Sequence, residues 1–257
     1  MRKNKCTIQK ITSSLLLLLW LVLNNAVASP PKSIKPAYGE RVLIVVSSHE
    51  NGFWLPEVLE PYQLLAEAGF KIDIASPEGG EGTARGRLSK QQLLWLESSP
   101  LKAQLQQSIP LSELMSKNYR AIYFAGGAGP MFDLVDNVAA NEVTREIYEA
   151  GGIVAADCHG PAALLNVRLS DGKRLIADKA VTGKANIEEG SWARRNYPFL
   201  LEDKLTEFAG TYSAKEKRQV HVVVDQRVVT GQNPASAAPM AKELIMLLKR
   251  LAALAMN

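Results

Sequence analysis

Cysteine and histidine are scarce in this chain. There are 2 cysteines and 3 histidines in 257 residues. Cys6 lies in the first 28 residues and Cys158 stands alone after them, so residues 29–257 cannot close an internal disulfide. No basic run occurs. The formal net charge of +4 comes from 30 basic and 26 acidic residues. Arg2, Lys3, Lys5 and Lys10 supply all of the excess, and the rest of the chain balances at zero. A neutral body without a basic patch excludes nucleic acid as the expected partner. No apolar run reaches the roughly 20 residues of a membrane-spanning helix. Hydrophobic residues make up 47% and charged residues 22%, which excludes disorder.

The N-terminus reads as an export signal. A basic start precedes the nine-residue apolar run Leu15–Leu23, and Ala26-Val27-Ala28 forms a small-x-small cleavage site. The expected domains are a signal peptide over 1–28, a proline-rich linker over 29–40 and one α/β domain over 41–257. An uncleaved anchor is the competing reading. The mature protein is expected to be exported, periplasmic or secreted, and free of the membrane. An exported lone thiol is either used or buried as a small hydrophobe.

The run Arg41–Ser47 suits a strand buried on both faces of a parallel sheet. Pro56 opens a helix that Gly69 closes, and Lys71–Ser76 is a second strand, giving one βαβ unit. Residues 77–116 are irregular, with short helices over 89–97 and 101–108, an excursion of the kind that borders a site. Further strands are predicted over 119–125, 153–157, 180–182, 219–224 and 227–230. Helices are predicted over 141–150 and from Gly160, and a C-terminal helix from about 235 to 255. Alternating strands and helices argue for a doubly wound α/β domain, with ligands at the carboxyl ends of the strands.

Cys158 falls at such an end, in Ala156-Asp157-Cys158-His159-Gly160-Pro161. A strand-to-helix turn with small flanking residues is a nucleophile elbow with sulfur in place of a hydroxyl. A helix N-terminus aimed at the sulfur is expected to favour thiolate. His159 adjoins it, His49 ends the first strand, and His221 reads as structural. The N–H groups of Gly127 and His159 are candidate oxyanion donors. Glu57, one residue into the first helix, is by position alone an acid favoured by the helix dipole.

Together these segments resemble the ThiJ/PfpI superfamily, and within it the glyoxalase III and heat-shock chaperone branch. The residues that carry the resemblance are Asn51-Gly-Phe-Trp-Leu-Pro-Glu57, Ala125-Gly-Gly-Ala-Gly129, Ala156-Asp-Cys-His-Gly-Pro-Ala-Ala163, Val181-Thr-Gly-Lys-Ala-Asn-Ile-Glu-Glu189 and Val229-Thr-Gly-Gln-Asn-Pro-Ala-Ser236. The resemblance implies a flavodoxin-like three-layer sandwich with a mostly parallel sheet. It implies Cys158 as nucleophile, His159 as its neighbour, Glu57 as proton carrier, and Glu189, or Glu188 one residue earlier, as third member. The implied reaction turns methylglyoxal into lactate with no cofactor and no metal, in a homodimer. The same resemblance allows a client-holding chaperone, with Trp54, Trp95 and Leu93-Leu94 as apolar candidates, or an amidase-like hydrolase. Three positions depart from the pattern. Ala128 replaces a histidine, Lys184 an aromatic and Asp157 an apolar residue.

Overall fold

The computed structural model describes residues 41–256. The expected signal peptide and linker lie outside the described residues. Among these residues no helix is long and apolar enough to cross a membrane.

Eleven strands form in chain order: β1 Arg41–Val45, β2 Phe53–Trp54, β3 Lys71–Ser76, β4 Ala84–Arg85, β5 Ile109–Pro110, β6 Tyr119–Phe124, β7 Ile153–Asp157, β8 Ala180–Val181, β9 Thr211–Tyr212, β10 Val222–Asp225 and β11 Val228–Gly231. Seven of them make one sheet in the order β10-β11-β7-β6-β1-β3-β5. All pairings in that sheet are parallel except β10 with β11. A two-residue turn joins β10 to β11, and Gln226 in it takes φ 54°. The short pairs β2–β4 and β8–β9 stand apart from the main sheet.

The helices are α1 Pro56–Glu67, α2 Lys90–Ser98, α3 Pro100–Gln106, α4 Pro130–Asp133, α5 Val138–Glu149, α6 Ser191–Asn196, α7 Leu201–Phe208 and α8 Ala237–Met256. Pro56 starts α1 at its first position, where its missing N–H has no partner to lose. Gly69, at φ 90°, ends the same unit in the left-handed conformation that a side chain resists.

Period-two alternation along β1 divides the core into two layers. Leu43 and Val45 enter one cluster with Ile147 of α5, while Val42 and Ile44 enter another with Leu59 of α1 and Leu244 of α8. Both sheet faces are covered, so a strand with apolar residues at every position is the stable choice. The result is the expected flavodoxin-like three-layer sandwich. It brings the ends of β1, β6, β7 and β11 together along one edge.

Two expectations change. The predicted helix after Cys158 is only a five-residue 3-10 segment, Gly160–Leu164. The excursion over 77–116 puts α2 on the surface with no buried residue, and reaches the site only through β4.

Candidate active site

β7 ends at Asp157, and the chain turns at Cys158 with φ 53°. That left-handed conformation costs a residue with a Cβ about 1–2 kcal/mol, so the surrounding bonds must hold it. They do so from two sides. Cys158 N donates to Gly231 O at 2.9 Å, and Lys184 N donates to Cys158 O at 2.8 Å. The turn fixes Cys158 in the lining of a cavity of about 420 Å³, lined also by His159, Gly127, Lys184 and Tyr197.

His159 bridges sulfur and carboxylate. Its Nδ1 lies 3.6 Å from Cys158 Sγ, and its Nε2 lies 2.8 Å from Glu189 Oε1. A carboxylate accepts only, so in a neutral imidazole Nε2 carries the proton and Nδ1 keeps the lone pair, 3.6 Å from the thiol. Tyr197 packs edge-on against the imidazole, with ring centroids 5.1 Å apart.

The two glutamates have different partners. Glu189 holds His159, whereas Glu188 accepts from Arg218 N at 2.7 Å and from the side chains of Gln232 and Asn233. These last two residues belong to the Thr-Gly-Gln-Asn-Pro-Ala-Ser segment, whose parts divide the labour. Thr230 Oγ1 accepts from Thr182 N, Gly231 holds Cys158, Ser236 Oγ accepts from His221 N, and Pro234 lines the cavity.

Glu57 is wholly buried, and neither of its carboxyl oxygens has a partner in regular hydrogen-bond geometry. The thiol of Cys158 lies against it off-line, close enough to oppose the shift that burial causes. Burial wins, and the Glu57 carboxyl is pushed up to about 8, with Cys158 and Lys184 pulling the other way. Gly126 makes the approach possible. A Cβ there would stand 2.5 Å from both Cys158 Cβ and Glu57 Oε2. Asp157 is buried too, accepts from Gly126 N at 3.2 Å, and is raised well above the ordinary carboxyl range by burial and then by Glu57.

The thiolate expected from a helix dipole is not the resting form. Burial pushes the Cys158 thiol well above its ordinary value, Glu57 adds to this, and only Lys184 among the larger influences opposes it. A five-residue 3-10 turn has too few aligned peptides to match that desolvation. At pH 7 both shifts favour the thiol and the neutral carboxyl group over their charged forms.

Other candidates separate. Gly127 takes φ 115°, and a Cβ on it would meet Phe53 Cα at 2.6 Å. It and His159 both line the cavity, as an oxyanion pair requires. His49 does not line it and stacks on Phe132, ring centroids 4.5 Å apart. His221 lies against Ser213 at 2.9 Å, away from the sulfur. Lys184, Arg85 and Tyr197 line the cavity although the sequence reading gave them no role. A departure from a family pattern was the available signal for Lys184. Among the described residues no group of three or more His, Cys, Asp or Glu is arranged around a metal position.

A doubly wound, mostly parallel sheet with a strained cysteine just past the end of strand β7 defines a class of α/β proteins with a cysteine elbow. Residues 40–247 match the DJ-1/PfpI family, and the chain belongs to it. It is 26% identical over 241 residues to the glutathione-independent glyoxalase hsp3102 of Schizosaccharomyces pombe, covering 81% of this chain and 98% of that protein. It is 27% identical over 233 residues to the glutathione-independent glyoxalase HSP31 of Saccharomyces cerevisiae, covering 82% and 98%. The crystal structure of the Francisella tularensis Rapid Encystment Protein 24 kDa is 35% identical and superposes with a TM-score of 0.77 over 81% of this chain and 99% of that one. Glyoxalase III of Candida albicans shares the fold, with a TM-score of 0.73 at 24% identity over 81% and 98%.

Proposed function

We propose that this protein converts small 2-oxoaldehydes such as methylglyoxal into 2-hydroxy acids, using Cys158 as nucleophile and no glutathione. The supporting observation is a single cysteine lining a cavity, with His159 Nδ1 3.6 Å from its sulfur and the buried Glu57 carboxyl group beside it. Relatives that align over nearly their whole length are named glutathione-independent glyoxalases.

The chemistry follows from these positions. His159 Nδ1 takes the thiol proton as the sulfur adds to the aldehyde carbon, and Glu189 stabilises the imidazolium that forms. The carbonyl oxygen collects the charge, next to the N–H groups of Gly127 and His159, and then a proton. The ionised Glu57 removes the hydrogen from that carbon, and its electron pair moves toward the neighbouring carbonyl. Return of the proton to the second carbon, with the hydroxyl proton of the first carbon passing to the oxygen of the second, leaves a thioester of the 2-hydroxy acid. Water then cleaves the thioester to the 2-hydroxy acid and the free thiol, so one water is consumed per substrate. A base near pKa 8 is ionised in about a tenth of molecules at pH 7 and is stronger than an ordinary carboxylate.

The test is lactate formation from methylglyoxal without glutathione, in the intact protein and in Cys158→Ser. Loss in the variant is expected, and equal rates would refute the reading. A client-holding role has Leu93 and Leu94 in its favour, both exposed on α2, but Trp54 lines the cavity and Trp95 turns onto Tyr62. Suppression of client aggregation that survives Cys158→Ser would favour that role. The proposal also takes the protein as exported with Ser29 as its new N-terminus, which terminal sequencing of the mature form tests. It takes it as a homodimer, which sedimentation tests.

A further inference from the structure

Two cations line the cavity that holds the reactive sulfur, and no carboxylate lines it. The residues lining the cavity include Lys184 and Arg85 and no Asp or Glu. Lys184 is held in place, since its own N–H donates to Cys158 O. Its side chain is 17% exposed, and the carboxylate it pairs with, Glu188 Oε2, stands at 3.8 Å, beyond hydrogen-bond reach. Glu188 is already engaged by Arg218 N, Gln232 and Asn233. The ammonium is therefore largely desolvated and lacks a close acceptor, next to a space that a solute can enter. Arg85 reaches the same space from β4. One of its N–H groups donates to Glu50 O at 3.0 Å, and the others stay free for a ligand. Glu57 does not line the cavity, and burial, which pushes its carboxyl up to about 8, keeps it mostly neutral at pH 7.

We propose that Lys184, helped by Arg85, makes this cavity selective for anionic carbonyl compounds, namely 2-oxoaldehydes and related aldehydes that carry a carboxylate. This rests on the reading of Cys158 as the nucleophile. The carboxylate lies on the lysine and arginine, and the aldehyde carbon is thereby presented to the sulfur. Lys184 is a specificity residue, and the sulfur chemistry itself is unchanged.

The test compares two alkylating agents that transfer nearly the same group and differ in charge. Rates of Cys158 modification by iodoacetate and iodoacetamide are measured on the full chain, following the Cys158 peptide by mass so that Cys6 does not contribute. Their ratio cancels the fraction of ionised thiol, which Lys184 also affects. Lys184→Gln is expected to lower the iodoacetate-to-iodoacetamide ratio about tenfold, the size of one nearby charge in a partly buried site. Lys184→Arg is expected to keep it, and Arg85→Gln to lower it about twofold, because that side chain is more screened. The wild-type ratio should also fall as salt rises to about 0.5 M, a reading that needs no variant. In turnover, kcat/KM for 4,5-dioxopentanoate relative to methylglyoxal should fall about tenfold in Lys184→Gln. A ratio unmoved by both substitutions and by salt, with Cys158 still reactive, would overturn the anion site and leave the proposed reaction intact. A Cys158 inert to both reagents, with no turnover, would overturn both.

Discussion

Replacing Glu57 with glutamine removes a buried acid while keeping its shape, and the consequence appears in how stability depends on pH. In the unfolded chain the carboxyl titrates near its ordinary 4.5, and in the folded protein near 8. Between these values the native state holds a proton that the unfolded chain has released. Stability therefore falls as pH rises through that window, and the loss is complete above about 8. Each pH unit in the window is worth about 1.4 kcal/mol, so the full loss attributable to Glu57 is at most about 5 kcal/mol. Asp157 and Cys158 are raised as well and titrate in both proteins, so the quantity to read is the difference between wild type and variant. Reversible urea unfolding at several pH values from 5 to 9 gives it. The Glu57→Gln protein is expected to lose several kcal/mol less than wild type over that range. The same substitution removes a charge that raises the thiol, so Cys158 should alkylate faster at pH 8 or 9. Stability curves that run parallel from pH 5 to 9 would refute the argument that burial governs this carboxyl.

Gly126→Ala should abolish 2-oxoaldehyde turnover and destabilise by about 1–3 kcal/mol, read by activity and urea unfolding, because its methyl group would overlap Cys158 Cβ and Glu57 Oε2. Glu189→Leu should reduce kcat/KM by about 10²- to 10³-fold with the fold retained by circular dichroism, since the imidazolium formed from His159 loses its carboxylate at 2.8 Å. Cys158→Gly should be about 1 kcal/mol more stable than Cys158→Ala in thermal unfolding, because only glycine takes φ 53° without strain. The rate of 2-oxoaldehyde turnover should rise with pH to a plateau above about 8 as Glu57 ionises, and a flat profile would remove Glu57 from the base role.

Architecture was readable because it rests on local, repeated signals. Continuous apolar runs such as Val42–Val45 demand cover on both faces, and Pro56 and Gly69 punctuate the βαβ unit. The elbow was readable for the same reason, since Asp157-Cys158-His159-Gly160-Pro161 is a contiguous string whose small residues permit a tight turn. The protonation of the site was not. Burial of Glu57 and Cys158 depends on β6, β7 and α1 closing around them, and no pattern near residue 57 or 158 reports the desolvation that results. For the same reason the sequence left Glu188 and Glu189 as alternatives. Adjacent residues diverge in space, and only the folded chain turns Glu189 to His159 and Glu188 to Gln232 and Asn233. Lys184 and Arg85 lie about a hundred residues apart, and their shared cavity arises when β4 and the turn after β8 are folded over one sheet edge. Order along the chain determined which elements form and where the sulfur sits, because those follow from neighbours in sequence. Charge, proton and cavity follow from neighbours in space, and those existed only once the sheet had assembled.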